Sequence, residues 1–152
     1  MEASKSANGI AIDLTLWPIV RTTPQGRLSD DDWEQMFREF ERLWRRGERF
    51  MTITDTRFSN NPTSKQRQRI GQWIRDNNDS ARHCTIGAIT IVESVIVRGA
   101  LTVIDWLAQP NYPMEYVRTW AQAASCSVRW LEEAELLTPR LREQIDSLPL
   151  TP

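Results

Sequence analysis

The chain has 152 residues, 40% of them hydrophobic and 26% charged, and its 19 Lys and Arg against 20 Asp and Glu leave a formal net charge of -1. That length suits one domain around one core, and the composition excludes a disordered or fibrous chain. The near-zero charge removes the field that draws a protein to nucleic acid or to an anionic membrane, so no nucleic-acid partner is expected.

The opening residues MEASKSANG lack the basic and apolar regions of a signal peptide, and a cytoplasmic location is expected. The most apolar stretch, Cys84 to Leu107, is interrupted by Glu93, Arg98 and Asp105, which leaves no clean membrane span. Cys84 and Cys126 are well separated and form no CxxC pattern, so both read as reduced thiols in or near the core.

In chain order, residues 1–8 read as a polar tail, 9–137 as a single α/β domain, and 138–152 as a C-terminal tail with a short helical pattern around Leu141 to Leu148. Ile10 to Leu14 alternates apolar with small or acidic residues, and Trp17 to Thr22 follows closely, which predicts two strands joined by a tight turn. Pro18 places the second at a sheet edge or at a strand start. Ser29 to Gly47 is the clearest helix: Ser29 can cap it, Asp30, Asp31 and Asp32 suit its positive end, and Arg42, Arg45 and Arg46 suit its negative end. Trp33, Met36, Phe37, Phe40, Leu43 and Trp44 recur at three- and four-residue steps and give that helix one apolar face.

Arg49 to Thr56 predicts a strand, and a second helix runs from about Thr63 to Asn77 with a narrow stripe of Ile70, Trp73 and Ile74. Its Lys65, Arg67, Arg69 and Arg75 read as a solvated face, with phosphate contact as the alternative. Cys84 to Val92 has little polar alternation and predicts a strand buried on both faces. Ser94 can cap a third helix from Val95 to Leu107, Met114 to Arg118 predicts a last strand, and Trp120 to Leu137 a fourth helix. The alternation predicts a mixed, largely parallel sheet of about five strands with helices packed on it.

Nothing in this order carries a recognisable catalytic pattern. One His and two separated Cys cannot supply a metal's ligand set, no GxSxG elbow accompanies His83, and no phosphate loop or dinucleotide fingerprint occurs. The expectation is a non-enzymatic protein without a cofactor or metal, with His83 structural or at the surface. Six of the seven tryptophans fall on predicted helices, where core packing explains most, and one or two can mark a partner surface.

The third predicted helix carries more apolar surface than one sheet-facing stripe needs. Arg98, Thr102 and Asp105 form a thin polar seam among Val95, Ile96, Val97, Leu101, Val103, Ile104, Trp106 and Leu107, and Gly99 sits unfavourably in mid-helix. Two readings follow: a second cover supplied by another protein or a symmetry mate, with Arg98, Gly99, Thr102, Asp105 and Trp106 as contacts, or a helix sandwiched wholly within its own chain.

The strand Arg49 to Thr56, ending in Asp55 and leading through a polar loop to a helix, resembles the STAS domains, the sulfate-transporter and anti-sigma-factor-antagonist family, and related STAS/CRAL-TRIO-like bacterial proteins. The stretches Arg98-Gly99-Ala100-Leu101, Trp106-Leu107 and Trp130-Leu131 are similar to those bacterial proteins, and the likeness spans roughly residues 10 to 135. The resemblance implies regulation by protein binding, switched by phosphorylation at the start of the helix after that strand, which here falls on Thr63 or Ser64. The family's Asp-Ser-Ser-Gly type motif is absent, because no acidic residue precedes Thr63 and no Gly follows Ser64. Thr63 as a plain helix cap is the competing reading.

The expected function is a regulatory or adaptor domain that binds another protein, or a second copy of itself, through the third helix and the loop Phe58 to Ser64. The alternative is a carrier of a small apolar or lipid-like ligand.

Overall fold

The computed structural model describes Ser4, Lys5 and residues 9–149, which form a mixed sheet with helices on both faces. The elements in order are β1 (Ser4–Lys5), β2 (Ile10–Leu16), β3 (Ile19–Pro24), α1 (Asp30–Arg45), β4 (Phe50–Asp55), α2 (Ser64–Asp76), α3 (Asn78–Cys84), β5 (Thr85–Ile91), α4 (Val95–Ala108), β6 (Met114–Val117), α5 (Trp120–Glu133) and α6 (Pro139–Asp146). The strands lie side by side in chain order. β1, β2 and β3 pair antiparallel, whereas β3, β4, β5 and β6 pair parallel through helical crossovers. The fold is therefore the α/β class read from the sequence, with five strands of at least four residues and one two-residue strand.

Of the presumed N-terminal tail, Ser4 and Lys5 pair with Ile12 and Ala11, and the rest of residues 1–8 lies outside the described residues. Pro18 falls in the turn before β3, where it costs no ladder hydrogen bond. α3 follows α2 almost directly and has no counterpart in the sequence reading, because NDSARHC carries no apolar stripe and buries only Ala81 and Cys84.

The helix starts are set by side chains. Ser29 accepts from Asp32 N at 3.2 Å while Asp32 accepts from Ser29 N at 2.7 Å, a reciprocal capping box that satisfies two otherwise orphaned donors. Thr63 and Gln66 form the same box on α2. α5 stops at Glu133, short of the expected Leu137: Glu135 takes a left-handed φ of 59°, and the Leu136 N–H returns to the Leu131 carbonyl at 2.9 Å.

Strand alternation divides the core in two. Val20 and Phe50 point to the face covered by α1, α2 and α4, where they join Phe37, Phe40, Ile70, Trp73 and Ile104. Ile19, Met51, Ile53, Ile89 and Ile91 point to the face covered by α5 and α6. Gly87 belongs to that second face, where the Trp130 ring leaves only 2.4 Å for an added Cβ. The segment read as a C-terminal tail is a packed element: Thr138 caps α6, and Leu141 and Ile145 are buried against the second face. Cys84 and Cys126 are free and buried. No described helix is long and apolar enough to cross a membrane.

Candidate functional site

α4 is the helix on which the site is built, and its sequence explains why it packs loosely. Ser94 caps it by accepting from Val97 N at 3.3 Å, and its inward residues, at four-residue steps, are Ala100, Ile104 and Ala108. Two of those three are alanines, so the helix lies over the sheet without filling the space beneath it. At its C-terminal end it meets α2 closely, where Gly71 leaves only 2.7 Å between an added Cβ and Leu107 Cβ.

The space beneath α4 is a partly open cavity of about 190 Å³. Trp33, Met36, Phe40 and Trp44 of α1, Ile70, Trp73 and Ile74 of α2, and Val97, Ala100, Leu101 and Ile104 of α4 form its walls. The aromatic side is ordered by stacking, with the Trp73 ring 4.3 Å from Phe37 and 5.2 Å from Trp44. Trp73 Nε1 donates to Glu41 at 3.0 Å and Trp44 Nε1 to Thr85 at 3.3 Å.

The floor is unlike the walls. Thr22 of β3 pairs in register with Thr54 of β4, Thr54 with Thr90 of β5, and Thr90 with Tyr116 of β6. All four side chains line the cavity, so a continuous row of hydroxyls crosses the carboxyl-terminal halves of the parallel strands. That end of a parallel sheet is where open α/β folds receive ligands. Thr22 is 2% exposed, and its Oγ1 has no hydrogen-bond partner. The Trp33 Nε1 is also buried and unpaired.

Asp105, the one charged residue of the lining among the described residues, closes the β6 end. Tyr116 donates its hydroxyl to Asp105 Oδ2, and the Arg98 guanidinium lies 3.8 Å from the Tyr116 ring centroid. Burial pushes the Asp105 carboxyl above its ordinary value, against the opposing pull of the Tyr116 bond and the Arg98 charge. Burial and the Asp105 charge push Tyr112 up to about 12, and burial with the same carboxylate raises Tyr116.

The outer side of α4 is apolar and open. Val95 is 86% exposed, Ile96 72%, Val103 45% and Trp106 75%. Nothing lies within 4 Å of a Cβ added at Gly99. The reading of this helix as sandwiched wholly within its own chain is thus corrected, because among the described residues nothing covers one long side of it. The proposed polar seam also divides. Gly99, Thr102 and Trp106 are exposed, with the Thr102 hydroxyl donating to the Arg98 carbonyl at 2.9 Å, while Arg98, exposed as well, and the half-buried Asp105 engage Tyr116 at the cavity's edge.

The loop before α2 is pinned rather than free. Gly26 donates to the Phe58 carbonyl and Asn60 to the Gly26 carbonyl, both at 2.9 Å, and Phe58 is 55% exposed. Thr63 Oγ1 accepts from Gln66 N at 3.1 Å and is the α2 cap, while Ser64 Oγ accepts from Arg67 at 2.9 Å. The cations of α2 are partly engaged within the fold: Arg69 grips Glu34 of α1 with two bonds, and Arg75 donates to the Leu107 carbonyl. His83 is exposed, with Nδ1 2.6 Å from the Asp79 carbonyl.

The hydroxyl row, Tyr112 and Trp33 were not singled out as site residues from sequence. Part of the row's signal is present as Thr52, Thr54 and Thr56 at alternating positions in RFMTITDT, a pattern that also serves simple strand formation. Among the described residues, no three His, Cys, Asp or Glu side chains converge as a metal site would require. The chain matches no family model, and no curated protein or solved structure is significantly similar to it.

Proposed function

We propose that the domain is a non-enzymatic, cytoplasmic regulatory or adaptor module that binds protein through the outer face of α4, with a second copy of itself as the best-matched partner. The exposed stripe of Val95, Ile96, Val103 and Trp106 carries this reading, since contiguous large apolar side chains on one helix face mark interaction surfaces. Gly99 adds to it. A mid-helix Gly costs about 1 kcal/mol against Ala, and no contact within the chain requires one there.

The stripe is self-complementary. Two α4 helices docked antiparallel about a twofold axis between Gly99 and Thr102 set Val95 of each against Trp106 of the other, with the small residue at the crossing. Protein binding is also what the resemblance to STAS domains implies. Phosphorylation forms no part of the proposal, since Thr63 Oγ1 serves as the α2 cap and Ser64 Oγ accepts from Arg67.

The test is solution mass across a concentration series for the wild type and a Trp106→Arg variant, with circular dichroism to confirm folding. A dimer that becomes a folded monomer on substitution supports the proposal. A wild type that stays monomeric to millimolar concentration, or a dimer indifferent to Trp106→Arg, overturns it.

A second reading, binding of a small apolar ligand, is favoured by the cavity of about 190 Å³ beneath the same helix.

A further inference from the structure

We infer, on the basis of the ligand-binding reading, that the cavity takes an uncharged, ring-bearing small molecule with one hydrogen-bonding oxygen, anchored at Thr22. Size sets the first limit. An apolar cavity of about 150 Å³ admits benzene, so about 190 Å³ holds one substituted ring or two fused rings. The walls set the second, because the aromatic side chains Phe40, Trp44 and Trp73 among them favour a ring-bearing ligand.

The lining's charge sets the third limit. Among the described residues no Lys or Arg lines the cavity, and its one carboxylic acid, Asp105, is already engaged by Tyr116. A carboxylate or phosphate held within the cavity would lose its hydration without gaining a counter-charge, so an uncharged ligand is favoured there. The unpaired groups set the fourth. Thr22 Oγ1 and Trp33 Nε1 are both buried, and both can donate, the indole only as a donor. The complement of each is an acceptor oxygen, as in a phenol, alcohol or ketone.

The experiment compares naphthalene, 1-naphthol and 1-naphthoate by calorimetry and thermal shift at neutral pH, on the wild type, Thr22→Val and Ala100→Leu. The expected order of affinity is naphthol, then naphthalene, then naphthoate. Thr22→Val should weaken naphthol about tenfold, the worth of one good hydrogen bond, and leave naphthalene unchanged. Ala100→Leu, which fills the cavity, should abolish binding of all three. Naphthoate binding as tightly as naphthol overturns the inference on charge. Naphthol matching naphthalene in the wild type overturns the oxygen anchor while the ligand reading stands. Failure of every probe, with Ala100→Leu raising the melting temperature, shows a packing void and overturns both.

Discussion

The Tyr116 hydroxyl of β6 donates to the Asp105 carboxylate of α4, and this bond ties the sheet edge to the helix that roofs the cavity. It is also where ionisation and folding oppose each other. The Asp105 carboxyl is raised above 3.8 chiefly by burial, so the folded chain holds that proton more tightly than the unfolded chain does. The group's stabilising contribution is complete below pH 3.8 and is lost as pH rises through the folded value. Asp105→Asn keeps an acceptor for Tyr116 without the charge. We predict that its melting temperature exceeds that of the wild type at neutral pH and that the gap narrows toward pH 4, as followed by calorimetry over a pH series. A gap that widens on acidification would contradict this assignment.

On the opposite face, Asp55 and Arg57 form a two-pronged pair at 2.9 Å with side chains 3% and 6% exposed, and Trp120 Nε1 donates to the same carboxylate at 3.2 Å. Removing one partner strands a buried charge, at a cost of about 3–5 kcal/mol. Arg57→Met should therefore lower unfolding free energy by about that amount in urea titration. The double variant Asp55→Leu with Arg57→Met should recover part of the loss, since neither charge then remains. Strict additivity of the two single losses would show that the pair is not coupled.

Gly71 and Gly99 make opposite predictions for the same exchange. At Gly99 a Cβ enters open space, so Gly99→Ala should stabilise by about 1 kcal/mol through helix propensity. At Gly71 it meets Leu107 Cβ at 2.7 Å, and the overpacking cost of about 1–3 kcal/mol outweighs the propensity gain in all but the mildest case. Gly71→Ala should destabilise and push α4 away from α2. Denaturant melts of both, in the Trp106→Arg background so that self-association does not enter, give the sign directly.

The sequence by itself determined the features that act over a few residues. The capping groups Ser29, Thr63 and Ser94, the stop at Gly47, and the apolar periods of α1 and β4 are local, because helix and strand geometry repeat within a turn or a pleat. The apolar excess on α4 was legible for the same reason, although not which of its side chains would face outward. Only the tertiary structure decided that Thr22, Thr54, Thr90 and Tyr116 stand in one row, since strand register depends on pairing between segments distant in sequence. Packing alone likewise turned Arg98 and Asp105 toward Tyr116, drew α6 into the core, and left space under Ala100. The Tyr116 contacts and the space under Ala100 depend on how α4 sits over the sheet, and the burial of α6 on how it meets α5 and β2 on the other face, which no segment of the chain sets alone.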